Sequence, residues 1–207
     1  MSSRLRINDS PTPITQTAIV GGKRQVIWHC PIHLTWRNML DRGSGGLSRR
    51  PSYNDVTVAA EWYTFSTFKA WHDQNYTDGL HLDKDLKVLG NTEYGPETCL
   101  YVSTRVNGFL VSCLKPRVDH PVGVFLRKDV FRSKPYSCQV WVEGRQKMLG
   151  AYSTAQEAHA KWQAIKATEA LRLASEECNV EVRWSLIRLA ERLISDIESN
   201  QETIIRK

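Results

Sequence analysis

The amino-acid sequence predicts an α+β fold: a ββα segment, then a three-stranded antiparallel sheet with one packed helix, then a C-terminal helix. Three observations carry this reading. Tyr136-Ser-Cys-Gln-Val-Trp-Val-Glu143 alternates with period two, as a half-buried strand does, and Gly144 turns it into Lys147-Met-Leu-Gly-Ala-Tyr152. Thr154-Ala-Gln-Glu157 reads as the cap of a long Ala-rich helix. Leu80-His-Leu-Asp-Lys-Asp-Leu86 alternates as well, and Ser103 opens a helix carrying Asn107, Phe109 and Leu110. The implied organisation is an arm over 1–28, the ββα unit over 29–115, the sheet-and-helix unit over 116–176, and a helix and tail over 177–207.

Residues 1–28 are polar, with Pro11, Pro13 and Gly21-Gly22, and suggest an extended arm with a hairpin from Ile19 to Trp28. Leu34 to Leu40 forms a short helix with Trp36, Met39 and Leu40 on its apolar face, stopped by Gly43-Ser-Gly-Gly46. The glycine-rich loop 43–54, beside Arg42 and containing Arg49 and Arg50, suits a solvated loop or a flexible phosphate contact. Glu61 to Trp71 reads as a helix whose Trp62, Phe65 and Phe68, three apart, form an aromatic stripe for core packing.

In the alternating stretch 80–86, Leu80, Leu82, Lys84 and Leu86 fall on one side and His81, Asp83 and Asp85 on the other. A loop with Gly90-Asn91 and Tyr94-Gly-Pro96 leads to a second strand, Thr98 to Val102. Pro121-Val-Gly-Val124 then opens the three-stranded sheet. Cys138, Val140 and Val142 are expected to face its helix, with Ser137, Gln139, Trp141 and Glu143 outward. Flanking cations are Arg127, Lys128, Arg132, Lys134, Arg145 and Lys147. An outward Trp and Gln among them suit a sheet laid on duplex DNA. The alternative is a covered sheet whose Trp141 belongs to an interdomain core. In 178–200, Val182, Leu186, Leu189, Leu193 and Ile197 recur at three and four, with Arg183, Arg188, Glu191, Arg192 and Asp196 outside. That stripe packs on the 155–175 helix or forms a seam with a second copy or a protein partner.

The chain has 207 residues and a formal net charge of +6, a modest pull toward a polyanion. The excess is local, because residues 115–150 hold eight Lys and Arg against three acidic residues. The mean hydropathy is −0.42, no apolar run approaches a membrane span, and Met-Ser-Ser-Arg-Leu-Arg lacks a signal-peptide core. Five scattered cysteines (30, 99, 113, 138, 178) form no disulfide framework, so reduced thiols in a cytoplasmic setting are expected. His29-Cys30-Pro-Ile-His33 crowds three metal-ligand types together, and only Cys99, His72 or His81 would complete a zinc set; a structural role is the simpler reading. No phosphate-binding loop, nucleophile elbow or His-Glu-x-x-His motif appears, which leaves NTPase, hydrolase-fold and zincin readings without a motif.

Gly123-Val124, the strand Tyr136 to Val142, Leu149-Gly150-x-Tyr152 and Thr154-x-x-Glu157-Ala158 resemble the AP2-like DNA-binding module, with Tyr152 where that pattern has Phe. A wider ordered set precedes it. Trp36-x-x-Met39-Leu40-x-Arg42, Glu61-Trp62-x-x-Phe65-x-x-Phe68, Leu82-Asp-Lys-Asp85, Gly90-Asn91, Tyr94-x-Pro96-Glu-Thr-Cys99 and Asn107 together resemble bacteriophage HNH-like endonucleases that often end in an AP2-like module.

That resemblance implies a metal-dependent DNA endonuclease acting in the host cytoplasm, with double-stranded DNA as partner. It also implies Mg²⁺ or Mn²⁺, held by Asp83 and Asn107 with Asp85 as a further oxygen ligand. The family's usual general base is a histidine directly after the first aspartate, and here Lys84 stands there. A lysine of ordinary pKa, ~10.4, is protonated at neutral pH and accepts no proton. His81 is the substitute base on the same strand face. The departure at Lys84 keeps a second class open: an inactive HNH-like accessory factor that binds DNA or protein.

Overall fold

The computed structural model describes residues 6–43, 55–113, 120–127, 133–142 and 144–204. Five α-helices and four small sheets make it an α+β protein among these residues. The chain divides into two compact units, one of residues 1–84 and 92–101, the other of residues 85–91 and 102–207.

The first unit opens with an antiparallel hairpin, β1 (Thr15–Val20) and β2 (Lys23–His29). Pro31 sits at the start of α1 (Pro31–Arg42), where its missing N–H costs nothing. The helix buries Trp36, Met39 and Leu40, as the spacing predicts. It ends at Gly43, whose N–H reaches the Met39 carbonyl. A β-carbon on Gly43 would lie 2.3 Å from Val58 Cγ2, so close approach of the chain requires glycine there.

The aromatic stripe is interrupted. A 3-10 turn over Ala60–Tyr63 and α2 (Phe65–Asn75) replace the single helix expected from Glu61 to Trp71, because Thr64 is extended. Asp9 from the N-terminal arm accepts hydrogen bonds from the Ser66 N–H at 2.9 Å and the Ser66 hydroxyl at 2.5 Å, satisfying the first turn of α2 from outside. The core reading of the stripe holds: Trp62, Phe65 and Phe68 are buried with Trp36, Met39, Leu40, Tyr94 and Cys99. The Trp36 indole N–H donates to the Trp62 carbonyl at 2.7 Å, so this large polar edge enters the core with its donor satisfied. Four short strands flank these helices: β3 (Thr57–Val58) pairs parallel with β5 (Glu93–Tyr94), and β4 (His81–Asp83) pairs with β6 (Leu100–Val102).

In the second unit, Ser103 caps α3 (Thr104–Cys113), its hydroxyl accepting from the Val106 N–H at 3.3 Å. A three-stranded antiparallel sheet comes next, in the order β7 (Val124–Leu126), β8 (Tyr136–Val142), β9 (Arg145–Tyr152). Thr154 and Glu157 form the expected cap of α4 (Ala155–Glu176). The Thr154 hydroxyl accepts from the Glu157 N–H at 3.1 Å and the Glu157 carboxylate from the Ser153 N–H at 3.0 Å. Asn179 caps α5 (Val180–Glu198), which buries Val182, Leu186, Leu189 and Leu193 in packing against α4; Ile197 is half-buried. Asp196, expected outside, is buried because Arg192 Nε and the Thr203 hydroxyl both donate to it at 2.7 Å.

No helix among the described residues is long and apolar enough to cross a membrane. The glycine-rich loop with Arg49 and Arg50, read as a solvated loop or a phosphate contact, lies outside the described residues from position 44 to 54, as do Lys115, Arg117, Lys128, Arg132 and Glu143.

Candidate functional site

The sheet of the second unit has one covered and one open face. Cys138 and Val140 are buried at 0% and 2% exposure beneath α4, with Val124, Tyr136, Leu149, Tyr152 and Ala158 around Cys138. Trp141, one residue on, is 51% exposed, which removes it from any core. Val142 is only half-buried, at the strand end. Ser137 departs from the alternation: it is buried, and its hydroxyl donates to the Gly150 carbonyl at 2.6 Å. The cause is a bulge, since Ser137 pairs with Ala151 while Gln139 pairs with Met148. Gly150, at φ +119°, occupies the extra position on β9.

Register decides which side chains share the open face. Directly opposed residues of an antiparallel pair project to the same side. Trp141 opposes Gln146 and Gln139 opposes Met148, so these four lie together, with Met148 60% exposed. Arg145 and Lys147 oppose Val142 and Val140 and so project from the other side of the sheet, both exposed to solvent. They flank Trp141 along the chain and lie on the other face of the sheet. Lys134 is exposed just before β8, Arg127 is half-buried after β7, and Lys128 and Arg132 are outside the described residues. Gln146 and Met148 were not singled out from the sequence. The signal was there: Gly144 follows the alternating strand, and with Val142 opposite Arg145 the pairing runs on to Gln146 and Met148.

Burial changes the pattern around Asp83. The strand covers only His81–Asp83, and Asp83, Lys84, Asp85 and Leu86 are all buried in succession. The expected alternation through Leu86 therefore stops at Asp83. His81 is exposed, and Asp83, two residues on, is 8% exposed. Lys84 is 1% exposed, with its ammonium 5.8 Å from the centre of the Tyr94 ring. Arg42 donates to the Tyr94 hydroxyl at 3.5 Å. Cys99 is close enough to feel both neighbours. Burial pushes its thiol up to about 12, with the Asp83 charge adding to the rise and the Lys84 charge opposing it. A thiol so held stays protonated near neutral pH. Asp85 and the half-buried Asn107 belong to the second unit, in which α3 positions Asn107 one turn past its cap.

The other ligand types are dispersed into packing. His33 lies 5.2 Å from the rings of both Trp36 and Phe65, and burial lowers its pKa. His72 stacks on Tyr76 at 4.5 Å. His29 is exposed and Cys30 half-buried at the start of α1. Among the described residues, no three His, Cys, Asp or Glu side chains gather as metal ligands; in the set Asp83, Asp85 and Asn107 only the two aspartates are of those types.

Two buried polar features of the second unit had no signal in the sequence pattern. Lys166 is fully buried, its ammonium donating to the Phe109 carbonyl at 3.3 Å and lying 4.3 Å over the Phe109 ring. His159 is buried with both ring nitrogens engaged, at 2.9 Å from the Val122 carbonyl and 3.1 Å from the Thr203 N–H.

Scans against family models, curated proteins and solved structures return no match to this chain.

Proposed function

We propose that the protein binds double-stranded DNA through the open face of β7–β8–β9 and cleaves it in a metal-dependent reaction of the HNH type. The observation that carries the binding half is Trp141, half-exposed on a strand whose neighbours Cys138 and Val140 are buried under α4. Gln139 and Gln146 supply amides for base edges, Trp141 and Met148 supply apolar contact, and Lys134 stands ready for phosphate. Amides beside apolar groups on one open face support the groove reading. Its neutrality assigns most phosphate contact to the exposed cations around it.

The cleavage half rests on the residues that carry the resemblance. Asp83 and Asp85 carboxylates and the Asn107 amide oxygen are hard donors of the kind Mg²⁺ or Mn²⁺ takes. Such a cation, when bound, stabilises the leaving oxygen. His81, exposed on β4 beside Asp83, is the residue assigned to activate water.

A second reading, an inactive DNA- or protein-binding accessory factor, is favoured by one observation. Lys84 occupies the usual base position and is buried against Tyr94. The test joins the two halves: duplex binding by gel shift, and plasmid nicking with Mg²⁺, Mn²⁺ or chelator. Binding with metal-dependent nicking supports the nuclease. Binding without nicking under either metal selects the accessory factor, and no binding to any duplex refutes both DNA readings.

A further inference from the structure

The β1–β2 hairpin is ordered without being buried. Every residue of both strands is exposed except Ala18, which is half-buried, and Ile19 and Ile27 are 78% and 61% exposed. A two-stranded ribbon with no covered face is marginal by itself, so its shape must be held from within and at its base. Both devices are present. Gly21 and Gly22, at φ +59° and +77°, form a two-residue turn with both central residues left-handed, the type whose twist matches the strands. At the base, the Cys30 N–H donates to the Ile14 carbonyl at 2.8 Å, where the ribbon joins the start of α1.

The exposed side chains are not those of a plain apolar docking face. Ile19 opposes Arg24 and Val20 opposes Lys23, so each face near the tip pairs one aliphatic group with one cation. Further down, Gln25 opposes Ala18 and Trp28 opposes Gln16. From Ser10 to Leu40 there is no Asp or Glu, while Lys23, Arg24 and Arg37 are positive.

We propose that this ribbon is a second DNA-contacting element, which enters the major groove of duplex DNA with Lys23 and Arg24 against phosphates. The major groove, about 12 Å wide, admits a two-stranded ribbon. Gln25 shares its face with Val20 and Gln16, so on that face the amides meet base edges and Val20 meets a thymine methyl. Duplex RNA is a poor ligand, because its major groove is too deep and narrow for side chains to read. The ligand is the one proposed above, but the surface is separate from the Trp141 face.

The test uses the full chain and a labelled 30-base-pair duplex, titrated across a range of KCl concentrations. Four proteins are compared: wild type, K23Q/R24Q, Trp141→Ala and the triple variant. K23Q/R24Q should weaken binding roughly tenfold and lower the slope of log affinity against log salt by about 1.8, two phosphates' worth. The triple variant should show both losses, and duplex RNA should compete poorly. If Trp141→Ala binds like wild type while K23Q/R24Q is weakened, the open-face reading fails and the ribbon stands. Unchanged affinity and slope in K23Q/R24Q overturn the ribbon alone. So does a wild-type dimer in sedimentation that Ile19→Glu dissociates without loss of DNA affinity, which would make the ribbon a contact between copies.

Discussion

Gly123 lies against the indole of Trp162: a β-carbon at position 123 would sit 2.1 Å from Trp162 Cδ1, and the residue holds φ at +82°. Trp162 is itself 1% exposed and stacked 5.4 Å from His159, so it has no room to yield. The turn into β7 thus requires glycine twice over, for the backbone and for the close approach. Gly123→Ala should lower unfolding free energy by about 2–4 kcal/mol, combining a left-handed penalty with overpacking. Gly144→Ala is the control, since Gly144 has φ +71° but nothing within 4 Å of its would-be β-carbon. It should cost only about 1–2 kcal/mol. Urea unfolding of both variants checks the difference; equal losses would mean that the indole contact contributes nothing.

His159 makes stability depend on pH. The Thr203 N–H can only donate, so Nε2 accepts and the proton sits on Nδ1, which donates to the Val122 carbonyl. The contact with Thr203 needs the neutral ring, because a protonated Nε2 accepts nothing. Burial lowers the pKa of His159, outweighing the Val122 hydrogen bond and the charges of Glu202 and Asp196, which raise it. Below the ordinary value of 6.5 the unfolded chain therefore binds a proton that the folded chain resists. The stabilisation is present above 6.5 and is lost as pH falls from there through the folded value. His33 and His72, also lowered chiefly by burial, act in the same direction. Urea midpoints should fall between pH 7.5 and 5.5, with at most about 1.4 kcal/mol per pH unit from each histidine. His159→Gln should be less stable at pH 7.5 and show a shallower decline. A wild-type midpoint that is flat over this range would contradict the assignment.

The parts of the fold that were legible in the sequence are those fixed by neighbours along the chain. The cap at Thr154 and Glu157, the cap at Ser103, the alternation of Cys138, Val140 and Trp141, and the stripe from Val182 to Leu193 are all local patterns, and the structure contains each of them. What was hidden depends on distant partners. Asp196 is buried because Thr203 folds back on it, and Lys166 because it finds the Phe109 carbonyl 57 residues away. Around the candidate site the same limit applies. Alternation placed Lys84 opposite Asp83 and Asp85, but burial of all three charged residues in sequence is a tertiary outcome that no period reveals.

The open face of the sheet makes a prediction about specificity. Trp141→Ala and Gln139→Ala should reduce affinity for a preferred sequence, selected from a random duplex pool, more than for non-specific duplex. A loss of about 1–3 kcal/mol is expected where a base contact is removed. Lys134→Gln should weaken both alike and lower the salt slope by about 0.9. Val142 partners Arg145 on the opposite side, so Arg145→Gln should alter salt dependence and leave sequence preference unchanged. Equal losses on both DNAs for Trp141→Ala, measured by fluorescence anisotropy, would assign the indole to packing on the backbone and not to readout.

The last prediction concerns cleavage and turns on Lys84. Asp83→Asn keeps the size of a buried side chain while removing its charge, so it should abolish metal-dependent nicking with the fold and DNA affinity retained. His81→Ala should slow nicking by about 10²-fold or more, the contribution of a positioned general base. His81 is exposed, so this variant should unfold at the same urea concentration as wild type and separate chemistry from stability. Lys84→His restores the family's usual base but removes an ammonium packed against Tyr94. It should therefore unfold at lower urea and yet nick at least as fast as wild type. Supercoiled plasmid incubated with Mg²⁺ or Mn²⁺ reads all three variants. Wild type and Lys84→His both inert with either metal would establish the accessory-factor reading, whereas a fully active His81→Ala would preserve the nuclease and remove its assigned base.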